Sequence, residues 1–89
     1  MKIIKSATAG TMESSDAYVE IEPADGENEI LVESVVWKQF GDKIRNAAID
    51  VLKEMEVNNA KVRIADRGAL ECVIRARVET AILRAKGEE

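Results

Sequence analysis

The sequence predicts an α+β fold, a small two-layer sandwich in the order β-β-β-α-β-α, with two helices on one face of a mixed sheet. Three patterns lead there. Apolar residues alternate on both sides of a Pro-Gly turn, a stripe at three- and four-residue steps begins at Trp37, and a second alternation is followed by a second helical stripe. A strand, helix, strand passage within one sheet is expected to be a right-handed crossover.

Ala7 to Met12 is short, small and Thr-containing, and reads as an added strand at an edge. Next, Val19 and Ile21 fall on one face, with Tyr18, Glu20 and Glu22 on the other. The only proline then stands in Pro23-Ala24-Asp25-Gly26, where Pro presets an early turn position and Gly accepts positive φ. The flanking segments are therefore expected to pair as antiparallel neighbours. Beyond the turn, Ile30 and Val32 alternate with Glu29, Leu31 and Glu33.

Trp37, Phe40, Ile44, Ala47, Ala48, Val51, Leu52 and Met55 form the apolar face of an amphipathic helix, with Lys38, Asp42, Asn46, Asp50 and Lys53 opposite. Ser34 is its expected N-cap, and Asn58-Asn59 its expected exit. Trp37 and Phe40 are large enough to anchor the core, and their helical spacing favours that role over a cofactor-stacking one. Val62 and Ile64 then alternate with Lys61, Arg63 and Ala65 in a half-buried strand closed by Asp66-Arg67-Gly68. Gly68 can cap a second helix from about Ala69 to Ala85, with Glu71 near its positive end.

Eighty-nine residues, 46% apolar and 34% charged, make one small domain. Such a chain buries only about 60 to 65% of its unfolded surface, so a deep enclosed active site would take up much of its core. His is absent, which removes the commonest general base near neutral pH and the commonest metal ligand. Self-contained catalysis is not expected, no metal site is expected, and no paired-carboxylate or phosphate-loop spacing appears. Thirteen basic residues against seventeen acidic ones leave a net charge of −4 with no basic stripe, which excludes nucleic acid as a partner. The single Cys72 forms no internal disulfide, no apolar run reaches the roughly 20 residues of a membrane span, and no signal-peptide core opens the chain. A cytoplasmic protein without membrane contact is expected.

Gly10-Thr11-Met12-Glu13-Ser14-Ser15-Asp16 joins two candidate strands and offers two hydroxyls flanked by carboxylates. One reading is a loop whose Ser and Asp bond nearby backbone; the other is an acceptor hydroxyl for covalent modification, which needs exposure on a projecting turn and no local base. Arg77 interrupts the apolar stripe of the second helix between Val73, Ile74 and Ala81. Its stem can lie over apolar surface with the head in water or on a carboxylate, or it can pin the Ser14 loop or bind a phosphate there. Cys72, Ala76 and Leu83 form a minor apolar strip on the opposite side; with Arg75 as the one basic neighbour at helical spacing, Cys72 has little support as a reactive thiolate.

Three segments together resemble one family. Ala9-Gly10-Thr11-Met12-Glu13-Ser14-Ser15-Asp16, Gln39-Phe40-Gly41-Asp42-Lys43-Ile44-Arg45 and Asp66-Arg67-Gly68-Ala69-Leu70-Glu71-Cys72 are similar to the acyl carrier (gamma) subunits of citrate lyases, over nearly the whole chain. The resemblance implies one acyl carrier domain over residues 1–89 and a non-catalytic role. It places a covalent phosphoribosyl dephospho-CoA group on Ser14 through a phosphodiester, with Ser15 at a position that can be Gly in relatives. It further implies that the carried acetyl thioester is exchanged for a citryl thioester by the alpha subunit and that the citryl group is cleaved by the beta subunit, releasing oxaloacetate. A dedicated transferase would attach the group. Tethering would make each encounter intramolecular. Only Lys86 to Glu89 follow the last helix, so nothing is implied about an extended tail.

Glu13 and Asp16 bracket Ser14, and with a phosphodiester there they are expected to repel a nucleotide arm from its own carrier, unless they serve solubility or recognition by the transferase instead. The carrier of a related complex, citramalate lyase, fits the same motifs. Malonate decarboxylase uses a similar arm but agrees less in the Ser segment. From another class, a small acidic protein-interaction module without a prosthetic group remains open.

Overall fold

The computed structural model describes residues 1–34 and 37–87, except the side chains of residues 37–39. Its elements are β1 (Ala7–Gly10), β2 (Ala17–Pro23), β3 (Glu29–Ser34), α1 (Trp37–Glu54), β4 (Ala60–Asp66) and α2 (Glu71–Ala85), the expected order. The sheet runs β1-β2-β4-β3, with β1 antiparallel to β2, β2 antiparallel to β4, and β3 parallel to β4. It is mixed, as expected, and β1 lies at an edge.

The expected hairpin does not form. β4 lies between β2 and β3, and residues 24–28 step across it; Ala24 N–H donates to Asn59 O at 2.8 Å, docking the Pro-Gly turn on the approach to β4. Neighbouring strands lie about 4.8 Å apart, so a linker of this length passes over one strand with ease. Burial explains the choice. Val62 and Ile64 alternate with residues of similar pattern on both sides, and the centre of the sheet is where their side chains lose most contact with water.

One sheet face is apolar and covered. Val19 and Ile21 of β2, Val62 and Ile64 of β4 and the half-buried Ile30 and Val32 of β3 meet the helices, as their alternation requires. α1 packs on β3, and α2 on β1 and β2. The opposite face is charged: Lys61 lies 3.9 Å from Glu22 and Arg63 4.0 Å from Glu20 across the β2–β4 register. Such exposed pairs contribute little to stability.

α1 contributes Ile44, Ala47, Ala48, Val51 and Leu52 to the core. Phe40, expected to anchor it, is instead 43% exposed. Its neighbour Gly41 occupies the buried position, so the inward stripe of the first turns runs through Gly41, Ile44 and Ala48, and Phe40 falls on its border. The expected anchoring by Trp37 lies outside the described side chains, and the expected Ser34 cap turns on residues 35–36, also outside the described residues. The exit of α1 comes before Asn58-Asn59. Glu56 has φ +55°, its N–H donates to Lys53 O at 3.1 Å, and the Val57 N–H donates to Leu52 O at 2.9 Å. This double closure satisfies the last carbonyls, and its apolar clasp is the buried pair Leu52 and Val57.

Asn59 joins the N-terminal segment to this corner: its Oδ1 accepts from Ile3 N–H at 3.1 Å and its Nδ2 donates to Ile3 O at 3.0 Å. Ile3, absent from the expected elements, is thereby buried, bridged to Lys86 at the end of α2. α2 begins two residues later than expected. Gly68 takes φ +91° in the turn and Leu70 is the N-cap residue, without a side-chain cap. Among the described residues no helix is long and apolar enough to cross a membrane.

Ile64 lies on the central strand and is fully enclosed, so Ile64→Ala is expected to lower unfolding free energy by about 2 to 5 kcal/mol. Urea titration followed by circular dichroism measures this; a loss below about 1 kcal/mol would mean that the β2–β4 layer is not the core.

Candidate functional site

The chain between β1 and β2 leaves the sheet at Gly10, and the reason only Gly serves there is steric. Its φ is +93°, and a Cβ would come within 1.9 Å of Ala17 O. The Thr11 N–H donates to that same carbonyl at 3.2 Å, so the neck of the loop is two backbones in contact. Beyond the neck, Glu13 to Asp16 form a turn closed by Asp16 N–H donating to Glu13 O at 3.1 Å. Ser14 and Ser15 are its central residues, both exposed, and Ser15 has φ +66°. Positive φ at the second central position is the geometry at which Gly is ordinarily favoured.

Two further backbone bonds hold the turn against the end of β4. Ser15 N–H donates to Arg67 O, and Arg67 N–H to Asp16 O, each at 2.9 Å. They continue the ladder that pairs Ala17 with Asp66. Asp66 is itself buried, only 2% exposed. Its Oδ1 accepts from the Ala69 N–H at 2.9 Å and its Oδ2 from the Ser34 hydroxyl at 2.8 Å, joining the ends of β3 and β4 to the start of α2.

The side chain of Asp16 gathers four donors. Oδ1 accepts from Arg77 Nε at 3.1 Å and from the Ala17 N–H at 2.7 Å; Oδ2 accepts from Arg77 Nη2 at 2.9 Å and from the Thr11 hydroxyl at 2.6 Å. The Arg77 fork, the Thr11 hydroxyl and the Ala17 N–H together hold this carboxyl well below the usual carboxylate range, Arg77 being the largest cause. Thr11 Oγ1 also accepts from Glu13 N–H at 3.2 Å.

Ser14 and Ser15 are thus left with unengaged hydroxyls. Thr11 and Asp16 bond each other and the nearby backbone, and neither serine side chain makes a hydrogen bond among the described residues. An exposed hydroxyl at the centre of a turn tied down on both sides fits covalent attachment of a group through an ester oxygen. Of the two readings of Arg77, the carboxylate contact and the pinning of the Ser14 loop are one interaction. Its stem runs past Gly10, where an added Cβ would lie 3.1 Å from Arg77 Cδ. The expected repulsion from Asp16 is corrected by the same contact, since that charge is neutralised by Arg77, leaving Glu13 as the exposed carboxylate beside Ser14.

Phe40 meets the β4–α2 turn, whose Arg67 backbone the loop also bonds. A cleft lined by Phe40, Lys43, Gly68, Ala69, Leu70 and Ile74 opens beside Arg67, with Lys43 Nζ 5.7 Å from the centre of the Phe40 ring. The loop and the cleft share the end of the molecule where α2 begins. Cys72 is exposed and unpaired, and among the described residues no group of three or more Cys, Asp or Glu side chains is arranged to hold a metal ion.

A family model described as the malonate decarboxylase delta subunit (MdcD) matches residues 4–85. Among curated proteins, the chain is 52% identical over 89 residues to a citrate lyase acyl carrier protein of Enterobacter sp. (strain 638), covering 100% of this chain and 92% of that one. It is 58% identical over 85 residues to that of Cronobacter sakazakii, covering 96% and 88%. A protein of the same description from Vibrio cholerae is 52% identical over 86 residues, with 96% and 88% covered. Among solved structures, a crystal structure of a protein from Thermus thermophilus superposes with a TM-score of 0.59 over 94% of this chain at 14% identity. The match spans 16% of that larger chain and speaks to fold alone.

Gly10→Ala places a methyl on a backbone carbonyl in a positive-φ position, so a loss of about 1 to 3 kcal/mol is expected, read from the thermal or urea midpoint. Asp16 contributes a pH dependence of known sign. Because its folded pKa is depressed, its contribution is complete above about pH 4 and is lost as pH falls further toward the folded value. Asp16→Asn should therefore lower stability at neutral pH and flatten the decline below about pH 4. Stability curves from pH 2 to 7 measure it, and parallel curves for the two proteins would contradict the role of the fork.

Proposed function

We propose, from the premise that this chain belongs to the citrate lyase acyl carrier protein family, that it is the carrier subunit of a citrate lyase complex and bears its prosthetic group on Ser14. Family membership makes it a carrier rather than a catalyst. The group is a phosphoribosyl dephospho-CoA joined through a phosphodiester, and when attached it supplies a terminal thiol that holds acetyl and citryl thioesters. The partners are the alpha and beta subunits and the transferase that installs the group. Residues 1–89 act as one carrier domain, in the cytoplasm, where the exposed Cys72 needs no disulfide partner.

The observation that carries this reading is the exposed hydroxyl of Ser14, free of hydrogen bonds among the described residues, on a turn whose flanking Thr11 and Asp16 side chains are engaged. The chain's own residues have three tasks. Gly10 lets the loop leave the sheet, the Asp16–Arg77 fork and the Arg67 backbone fix its base, and Ser15 takes the left-handed conformation that turns Ser14 outward. Ser15 fits the neighbour's role better than the attachment role. Its position is defined by backbone geometry, so a Gly there would keep the turn, whereas Ser14 has no other evident function. Near-full-length identity of 52 to 58% to citrate lyase carriers favours that complex over the malonate decarboxylase named by the family model.

Intact mass of the chain produced with the transferase tests the assignment. A nucleotide-sized increment is expected on the peptide containing Ser14, lost in Ser14→Ala and retained in Ser15→Ala and Ser15→Gly. An increment that survives Ser14→Ala would move the attachment elsewhere, and none under conditions that load a known carrier would leave the interaction-module reading.

A further inference from the structure

The cleft beside the loop has a volume of about 390 Å³, within the roughly 300 to 1,000 Å³ of small-molecule sites. Two apolar side chains stand exposed on it, Phe40 at 43% and Leu70 at 71%, over a floor that includes the buried Ile44 and Ile74. Burying an aromatic ring and a leucine releases substantial apolar surface, so an occupant with a flat apolar face gains from lying there. Its entrance is set by covalent geometry. Gly68 lines the cleft, and the preceding residue, Arg67, is bonded through both its N–H and its carbonyl to Asp16 and Ser15. Whatever is anchored on Ser14 begins beside this opening.

We infer that the cleft receives the adenine nucleoside of the arm carried by Ser14, with Arg67 as the cation for the adjoining phosphates. The inference rests on Ser14 being the attachment point. The nucleotide end of such an arm is the part nearest the protein, and its chemistry matches the lining. Phe40 offers a ring for stacking, Lys43 keeps a cation against that ring, and the Arg67 side chain is exposed and unpaired among the described residues. Glu71, also on the lining, decides which part of the nucleotide goes where. Its carboxylate disfavours a phosphate inside the cleft but accepts a hydrogen bond from an exocyclic amine, so the base enters and the phosphates stay at the Arg67 end.

A weak site is sufficient here. A short tether supplies an effective concentration on the order of millimolar, so an intrinsic affinity that would go unnoticed for the free nucleotide still fills the cleft. The consequence is mechanical. With the base seated, the acyl-bearing end swings from a pivot at the cleft and not from Ser14, which narrows the volume it searches for the two catalytic subunits.

The test uses isotope-labelled carrier loaded by its transferase, with loading verified by intact mass, and compares its NMR spectrum with that of the unloaded chain. Contacts between adenine ring protons and the Phe40 ring are expected, with shifts of the Gly68, Ala69 and Leu70 amides. In Phe40→Ala and, separately, Leu70→Ser, those contacts should vanish and the adenine lines narrow several-fold toward those of free dephospho-CoA, while the shifts of the Ser14 and Ser15 amides caused by attachment persist. Leu31→Ser, on the opposite sheet face, should leave all of these unchanged. A fully loaded wild-type carrier with narrow adenine lines and shifts confined to residues 13–16 would overturn the inference while leaving Ser14 as the attachment point. So would cleft shifts that arise only when a catalytic subunit is added, which would make the cleft a protein-docking surface. A chain that gains no mass at Ser14 overturns both.

Discussion

A guanidinium from the middle of α2 holds a carboxylate at the end of a loop from the opposite end of the sequence, and the presentation of Ser14 depends on that contact. The bidentate geometry of Arg77 on Asp16 gives direction as well as attraction, because two parallel bonds fix the plane of the carboxylate. Thr11 and the Ala17 N–H complete the same carboxylate. A short loop with serines, threonine and two carboxylates has many ways to bond itself. Here much of that capacity converges on Asp16, and the hydroxyls left over are those of Ser14 and Ser15 at the tip.

The second carboxylate at this end, Asp66, plays the complementary part inside. Buried, it accepts from the Ser34 hydroxyl at the end of β3 and from the backbone of Ala69 ahead of α2. Asp66 pairs with Ala17, and the Arg67 N–H bonds Asp16 O, so the two carboxylates are one strand step apart on the same ladder. This end is therefore tied together for a stated reason: three chain segments share one buried carboxyl group whose bonds cannot be exchanged for water without cost. Glycine at 10 and 68 allows the backbone to turn sharply on either side of it.

Much of this was legible in the residues. Alternation at Val19 and Ile21, Ile30 and Val32, and Val62 and Ile64 identifies the strands and their inward faces, because period two is a property of the extended chain itself. The two helices follow equally from spacing, and the family resemblance carried by the Ser14, Phe40 and Asp66 segments agrees with the relatives found over nearly the full chain. Other features were misread because they are decided between elements. A turn signal at Pro23 and Gly26 says that the chain bends, not which strand lies alongside; β4 took the central place since its apolar residues are best buried with a neighbour on each side. Phe40 matched the helical stripe by count, yet the helix is rotated so that Gly41 faces inward. Cap residues were misplaced for a similar reason. Gly68 serves the turn, Glu56 with its positive φ ends the helix ahead of the asparagine pair expected to do so, and Asn59 is used for the distant Ile3.

Local properties of the chain were enough for the element order, the two-layer class, the acidic surface, the absence of histidine chemistry and the hydroxyl-bearing turn at Ser14, since each follows from residue type and spacing within a few positions. The strand order, the partner of Asp16 sixty-one residues away, and the meeting of α1 with the β4–α2 turn to form a cleft beside Ser14 belong to the folded state. No short window contains both members of those contacts. They arise when burial of one apolar sheet face against two helices brings distant segments to the same end, and only then do Arg77 and Arg67 meet Asp16.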